Sequence, residues 1–398
     1  MYTDDVSIRT SSQQLIKEAN TRRVFALICI NEGISRAGIA AKTGLSPTTV
    51  STLADGLISS GLVIETGAGE LATSGRKPIM LEVNPNGGAI IAADLQKNGY
   101  YLGIFNLKCK PMDEVFIPLT DYETLGASMV EQTVKLLEKC RYRVDQLLGI
   151  CVGAPGIIDR KKGRVISSTI IPLETSNPFY EKLKKAFPDV SVEIMNESGL
   201  CAYAEVQYGA IGRQTDNLLY IDIHAGIGAG IIINGSIYEG SGELAGEFGH
   251  ISIDLNGPVC KCGSRGCLEI LASIPALVAN IESETDFPKE YPQVESDEEK
   301  LRIIAMEYIG KKKYSGQIDK TAEYIAYGIN NAINLINPGA VVIGGKITVM
   351  GSGFLKKIVE AQRRIGLDRN KKTKIIMSEF EGNPVTAGGA RYIFNKIF

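Results

Sequence analysis

The chain has 398 residues, 44% of them hydrophobic and 22% charged, with a formal net charge of −2. That length holds two or three domains with sizeable cores, and the near-neutral balance excludes nucleic-acid binding by bulk charge alone. There is no run of about 18 apolar residues and no signal peptide, so we expect a cytoplasmic protein without a membrane partner.

After a polar start, a helical pattern begins at Gln14, carries Val24, Leu27 and Ile28, and stops near Asn31-Glu32-Gly33. Ser35 is placed to cap a short helix with Ile39 and Ala40 inward, closing at Thr43-Gly44. Ser46-Pro47 opens a third helix through Val50, Leu53, Leu57 and Ile58, and Gly61 ends it. Two short helices joined by Thr43-Gly44-Leu45-Ser46 have helix-turn-helix spacing. From Ser46 and Pro47 the third helix presents Thr48, Thr49, Ser51 and Thr52, small hydroxyl residues that can reach phosphates or base edges. Leu62 to Glu65, a polar turn, and Ile79 to Val83 read as a two-stranded wing, with Arg76 and Lys77 placed to meet a DNA backbone or minor groove. On pattern alone, a three-helix interaction module with a solvated polar face is the alternative.

Asn84 to Gly88 is a turn-rich boundary. Strands are expected at Ala89–Asp94, Tyr100–Leu107, Val115–Pro118, Leu147–Val152 and Val192–Met195, with helices at Thr124–Cys140, Pro178–Phe187 and Gly199–Gly209. Gly153 to Gly156 looks like a ligand-facing turn, and Asn196-Glu197 ends a strand. A second set follows, with strands at Asn217–Ile223, Gly228–Ile233 and Ala340–Ile343. Its helices are expected at Ile274–Ile281, Leu301–Ile309 and Lys320–Asn337. The recurring order strand, strand, strand, helix suggests two related α/β halves facing a cleft. Acidic Glu282 to Lys300 reads as a solvated insertion.

Within the second set lies the most informative stretch, Glu243 to Glu269. His250, Cys260, Cys262 and Cys267 supply one nitrogen and three sulfurs, a full set for a closed tetrahedral zinc site. A closed site leaves no room for activated water, so the expected cofactor is a structural Zn2+ bracing the loop over residues 250–267. Cys-x-Cys by itself would also suit a redox pair or a chance cluster; the histidine ten residues upstream and Gly263 and Gly266 favour zinc. The remaining five cysteines (29, 109, 140, 151 and 201) lie among apolar neighbours, like free thiols in a reducing compartment. Glu243, Glu247 and Glu269 surround the cluster.

Glu247-Phe-Gly-His250, followed by Cys260-x-Cys262-Gly-x-x-Gly-Cys267-x-Glu269, resembles the signature of the ROK family of repressors, open reading frames and kinases. The resemblance implies an N-terminal winged helix-turn-helix, expected over 1–80, and a duplicated actin-like, ribonuclease-H-like body over 81–398. It also implies a monosaccharide site at Asn196, Glu197, Glu247, His250 and Glu269, an inventory suited to vicinal hydroxyls. The family's kinases carry Asp-x-Gly-Gly-Thr where this chain reads Asp94-Leu-Gln-Lys-Asn-Gly99, and an aspartate base where it has Glu197. In His224 to Gly230 the glycines remain, which tight strand packing also explains, but Ala225-Gly226-Ile227 lacks the usual hydroxyl residue. A phosphate-cradling turn needs bare backbone, and about 1 Å of base displacement can cost about 100-fold in rate. The expectation is a non-enzyme: a repressor that binds a palindromic operator as a homodimer or dimer of dimers and is released by a sugar. Xylose leads, because the family's xylose-operon repressors have this layout. An active sugar kinase with an attached DNA-binding domain is the alternative, and a sugar corepressor would use the same parts.

Overall fold

The computed structural model describes residues 12–31, 33–68, 78–168 and 170–398. The first unit contains α1 (Ser12–Ile30), β1 (Ile34–Ser35), α2 (Arg36–Thr43), α3 (Pro47–Ser59), β2 (Val63–Ala68) and β3 (Ile79–Val83). Its helix ends follow the sequence signals closely. Ser35 Oγ accepts from Gly38 N at 3.1 Å, and Gly44 closes α2 in the left-handed conformation. Ser46 Oγ accepts from Thr49 N at 3.1 Å, with Pro47 at the first helical position. The sheet has three strands in the order β1-β3-β2 rather than two, since Ile34 and Ser35 pair with Leu81 and Met80. A two-residue strand is too short for any periodicity to reveal.

The body begins with β4 (Ala89–Gln96), β5 (Gly99–Asn106), β6 (Pro111–Pro118), α4 (Leu125–Lys139) and β7 (Leu147–Ala154). It continues with β8 (Ile157–Asp159), β9 (Arg164–Ser167), α5 (Phe179–Ala186), β10 (Ser191–Asn196) and α6 (Glu197–Tyr208). The main sheet runs β10-β7-β4-β5-β6, antiparallel across β4-β5-β6 and parallel across β10-β7-β4. β4 is buried over nearly its whole length, as suits a central strand covered on both faces. β6, bounded by prolines and carrying Asp113 and Glu114, is a largely exposed edge.

The second half holds β11 (Leu218–Ile223), β12 (Ile227–Ile233), β13 (Ser236–Ile237), α7 (Leu268–Ala272), α8 (Ile274–Glu284), α9 (Phe287–Glu290) and α10 (Asp297–Lys311). It ends with α11 (Ser315–Ile336), β14 (Ala340–Gly344), α12 (Gly351–Ile365), β15 (Lys374–Met377) and α13 (Pro384–Ile397). Its sheet runs β13-β12-β11-β14-β15, antiparallel for the first three and parallel for the rest. Each half thus repeats one plan: a hairpin-linked trio of strands, then two parallel strands on the other side of the first.

Two readings change. The segment from Glu282 to Lys300 is not merely solvated: Phe287 is buried against the rings of Tyr291 and Tyr314, at 5.0 and 5.9 Å, and Lys300 pairs with Glu282 at 2.7 Å. The chain beyond Gly345, left unassigned by periodicity, supplies α12, β15 and α13. The last of these packs along α6, β4 and β7 and returns the C-terminus to the first half. Phe394 and Phe398 of that region meet Phe25 of α1, at centroid distances of 6.1 and 4.4 Å, so the first unit shares one hydrophobic cluster with the body. No helix among the described residues is long and apolar enough to cross a membrane.

Candidate functional site

The strand β12 gathers the site. At its start Ile227 N donates to Glu269 Oε2 at 3.1 Å, in its middle Ala229 N donates to Gly246 O at 2.9 Å, and the first turn of α6 lies against it. That last approach is close: a Cβ at Gly230 would sit 2.1 Å from Ser198 O, so side-chain-free backbone is required there whatever else binds.

Along this spine the acidic residues form two groups. Asp94 lies near the end of β4, Glu197 opens α6 and Asp222 lies near the end of β11. Burial, followed by the charges of Asp222 and Asp94, pushes the Glu197 carboxyl well above its ordinary pKa. Burial likewise raises Asp94 to about 6, opposed by bonds from Asn383 Nδ2 at 3.0 Å and Gln96 Nε2 at 2.8 Å. His224 Nε2 lies 2.9 Å from Asp222 Oδ1; burial lowers its pKa, but Asp222 overrides this and the net shift is upward. Asn196 is committed before any ligand arrives. Its Oδ1 caps α6 by accepting from Ser198 N and Gly199 N at 2.9 and 3.3 Å, and Nδ2 donates to Gly156 O at 3.1 Å. That leaves one amide hydrogen of Asn196 outside these bonds.

The second group is Glu247, His250 and Glu269. Burial raises the Glu247 carboxyl, His250 opposes the rise and Glu269 adds to it. Glu247 Oε2 stands 3.9 Å from His250 Nε2, while His250 Nδ1 stands 3.7 Å from Cys260 Sγ. One imidazole can therefore serve two neighbours, a carboxylate on one nitrogen and the thiol cluster on the other.

In that cluster the ligand atoms of His250, Cys260, Cys262 and Cys267 all lie within 4.8 Å of one another. The Cys262 and Cys267 sulfurs are 3.6 Å apart, far beyond a disulfide bond of about 2.0 Å. A tetrahedron with zinc–sulfur bonds of about 2.3 Å has edges of about 3.8 Å, close to these separations. Gly266, at φ +57, passes so near Asp254 that a Cβ would lie 1.8 Å from Asp254 O. The tight loop foreseen from the glycines is present.

The stretch from Asp94 to Gly99 forms a short hairpin. β4 continues to Gln96, which pairs with Gly99 across Lys97-Asn98. Gln96 and Asn383 occupy the carboxylate of Asp94.

On the first unit, Ser46, Pro47, Thr48 and Thr52 are exposed while Thr49 and Ser51 are half-buried. Ser46 is engaged as a cap, and Thr52 Oγ1 donates to Thr48 O at 3.1 Å. Arg76 and Lys77 lie outside the described residues. Thr48, Thr49 and Thr52 share a groove with Gln13, Lys17 and Asn20 of α1, a polar edge that the sequence reading did not assign to the site. It also missed Asp222, His224 and Asn383. The rarity of histidine was a signal for His224; nothing local marks Asn383, 289 positions from Asp94.

The ROK family matches residues 100–397. The xylose repressor of Caldicellulosiruptor bescii is 32% identical over 382 residues, covering 94% of this chain and 95% of that protein. The xylose repressor of Bacillus subtilis is 31% identical over 350 residues, covering 85% of this chain and 84% of that protein. Among solved structures, a ROK family transcriptional regulator, a homolog of the Escherichia coli Mlc protein, superposes with a TM-score of 0.82 over 96% of both chains. Its identity to this chain is 24%, a likeness of fold.

Proposed function

This chain belongs to the ROK family, and from that premise we propose that it is a sugar-responsive transcriptional repressor. The observation that carries the proposal is the extent of its likeness to xylose repressors. It covers 94% of the chain, whereas the family match begins only at residue 100. The α1–β3 unit, expected over 1–80 with β3 continuing to Val83, would be a winged helix-turn-helix that reads an operator. Thr48, Thr49, Ser51 and Thr52 would face the groove behind the cap Ser46-Pro47, and Arg76 and Lys77 would meet the backbone. A two-fold dimer, or a pair of dimers, would match a palindromic site, and a cytoplasmic location fits that task.

Residues 81–398 would be the sensor. A monosaccharide, xylose first among candidates, would hydrogen-bond to Asn196 and Glu197 on the first half and to Glu247, His250 and Glu269 on the second, drawing the halves together. The cysteine–histidine cluster fits zinc in donor type, number and spacing. When bound, zinc would supply a structural brace only, fixing the His250 ring whose other nitrogen faces Glu247. Sugar binding releases DNA if the sugar-bound shape disfavours the operator-binding dimer, which requires only unequal affinity for the two states.

The kinase reading has one observation in its favour, the clustering of the Asp94, Glu197 and Asp222 carboxyls. Against it stand Gln96 and Asn383 on Asp94 and the extra methylene of Glu197. Fluorescence anisotropy of a duplex from the chain's own upstream region, at fixed salt and without ATP, tests the choice. Tight binding reversed by one monosaccharide is expected. ATP consumption that depends on sugar and vanishes in Glu197→Gln would overturn the proposal.

A further inference from the structure

Arg160, in the turn after β8, touches both halves of the body. Its backbone N donates to Glu243 Oε2 at 2.8 Å, and its Nη1 donates to Glu239. Its Nη2 donates to Glu193 Oε2 at 3.0 Å and to the Tyr392 hydroxyl at 2.6 Å, with the guanidinium 5.6 Å from the Tyr392 ring centre. Glu193 lies on β10, the strand that ends at Asn196, and Tyr392 lies on α13. Glu239 and Glu243 belong to the segment that leads from β13 to Glu247 and His250. One side chain therefore ties together the two stretches that carry the two groups of sugar-site residues. Arg160, Glu193 and Glu239 are all less than a third exposed, so solvent screens these pairs weakly.

Two further features mark this as a fixed arrangement. Glu243 sits at φ +59, a conformation a non-glycine residue adopts only when its surroundings hold it, and Arg160 N is the donor on its carboxylate. Arg160, Met195, Asn196, Tyr238, Glu239 and Glu243 also line one crevice, so the contact lies beside Asn196 at the edge of the cleft. A planar guanidinium with several fixed donors suits this multi-armed task in a way a lysine ammonium does not.

The same helix that receives Arg160 also reaches the first unit. Two residues beyond Tyr392, Phe394 begins the aromatic contact with Phe25 of α1. Toward the other end of α13, Asn383 holds Asp94. Lys396 adds a second cation to Glu193 from α13.

We infer that Arg160 is a positioning residue that locks the Glu239–Glu243 segment to α13, and that a bound effector changes DNA affinity by shifting this lock. The inference rests on the sensor reading above and adds to it the residue through which the two functions communicate. Closing the cleft around a sugar must move Glu247 and His250 relative to Asn196. Arg160 spans that gap, so it either follows the segment and pulls on Tyr392 or releases one side. In both cases α13, and with it Phe394 and Phe25, experiences the change.

The test uses the full-length zinc-loaded protein and three variants, Arg160→Met, Glu239→Gln and their combination. Operator affinity without sugar is followed by anisotropy, xylose affinity by calorimetry, and backbone opening by hydrogen exchange. We expect Arg160→Met to bind operator and xylose much as the parent does, while xylose-driven release weakens by roughly tenfold or more, the size of a typical allosteric coupling. Glu239→Gln should lose part of the same coupling, and the double variant should be no worse than Arg160→Met, because both act on one contact. Exchange should quicken in residues 238–246 and along α13. Normal release in Arg160→Met overturns the inference, and so does simultaneous loss of sugar binding, DNA binding and melting temperature, which would mark a general structural role. If no sugar releases the parent protein, the repressor reading fails separately. The exchange comparison then decides the lock by itself: unchanged protection in both segments overturns it.

Discussion

Asp94 shows what burial does to a single carboxyl. Burial raises its pKa from 3.8 to about 6, Asn383 and Gln96 oppose the rise, and Asp222 adds to it. The folded chain thus holds this proton more tightly than the unfolded chain. The fold carries no penalty from Asp94 below about pH 4 and an increasing one as pH rises to about 6, levelling near 3 kcal/mol. We predict that Asp94→Asn raises the melting temperature at pH 7.5 and that the gain shrinks toward nothing near pH 4. Thermal unfolding of both proteins across that range checks this; a loss that grows as pH rises above about 4 would show that the carboxylate's bonds outweigh its desolvation. At this scale the sequence was legible where chemistry is local. Ser35 and Ser46 were found as caps because a hydroxyl before a helix has one common use. The bonds from Asn383 to Asp94 and from Arg160 to Tyr392 join distant parts of the chain, and no spacing rule reaches them.

Among elements, the cysteine loop was the easiest to foresee and α13 the hardest. The loop announces itself through residue types of narrow chemistry and through glycines at bends. Helix α13 buries Val385, Thr386, Gly388, Gly389, Ala390, Ile393 and Phe394, apolar and small residues on several faces, because it lies between α6 and the first sheet. Without a single apolar stripe, its sequence has no clear helical period. The loop also yields a prediction. Cys262→Ser removes one of the four proposed ligands while leaving the buried Cys260 and Cys267, so metal content should fall from about one zinc per chain, the number a single four-ligand site holds. Sugar affinity should fall with it, because His250 loses its brace, whereas operator binding should persist. Metal analysis with calorimetry and anisotropy tests this. Full zinc content and normal sugar binding in the variant would contradict the assignment.

Across the whole molecule, the duplication was visible in the recurring strand order, while the union of the two units was not. Phe25, Phe394 and Phe398 place the first unit and the C-terminal helix in one core, so two units that look separable in sequence share packing. Such sharing would give the proposed sugar binding in the cleft a physical means to alter the proposed DNA-reading surface.

Reciprocity offers the most direct test of that claim. If a sugar weakens operator binding by some factor, the operator must weaken sugar binding by the same factor. We would measure xylose affinity by calorimetry for the free protein and for its saturated complex with operator duplex. The account predicts weaker binding to the complex, by the factor that anisotropy gives for sugar-driven loss of DNA affinity. Equal xylose affinity in both states would contradict it, because a sugar that binds both states alike shifts nothing.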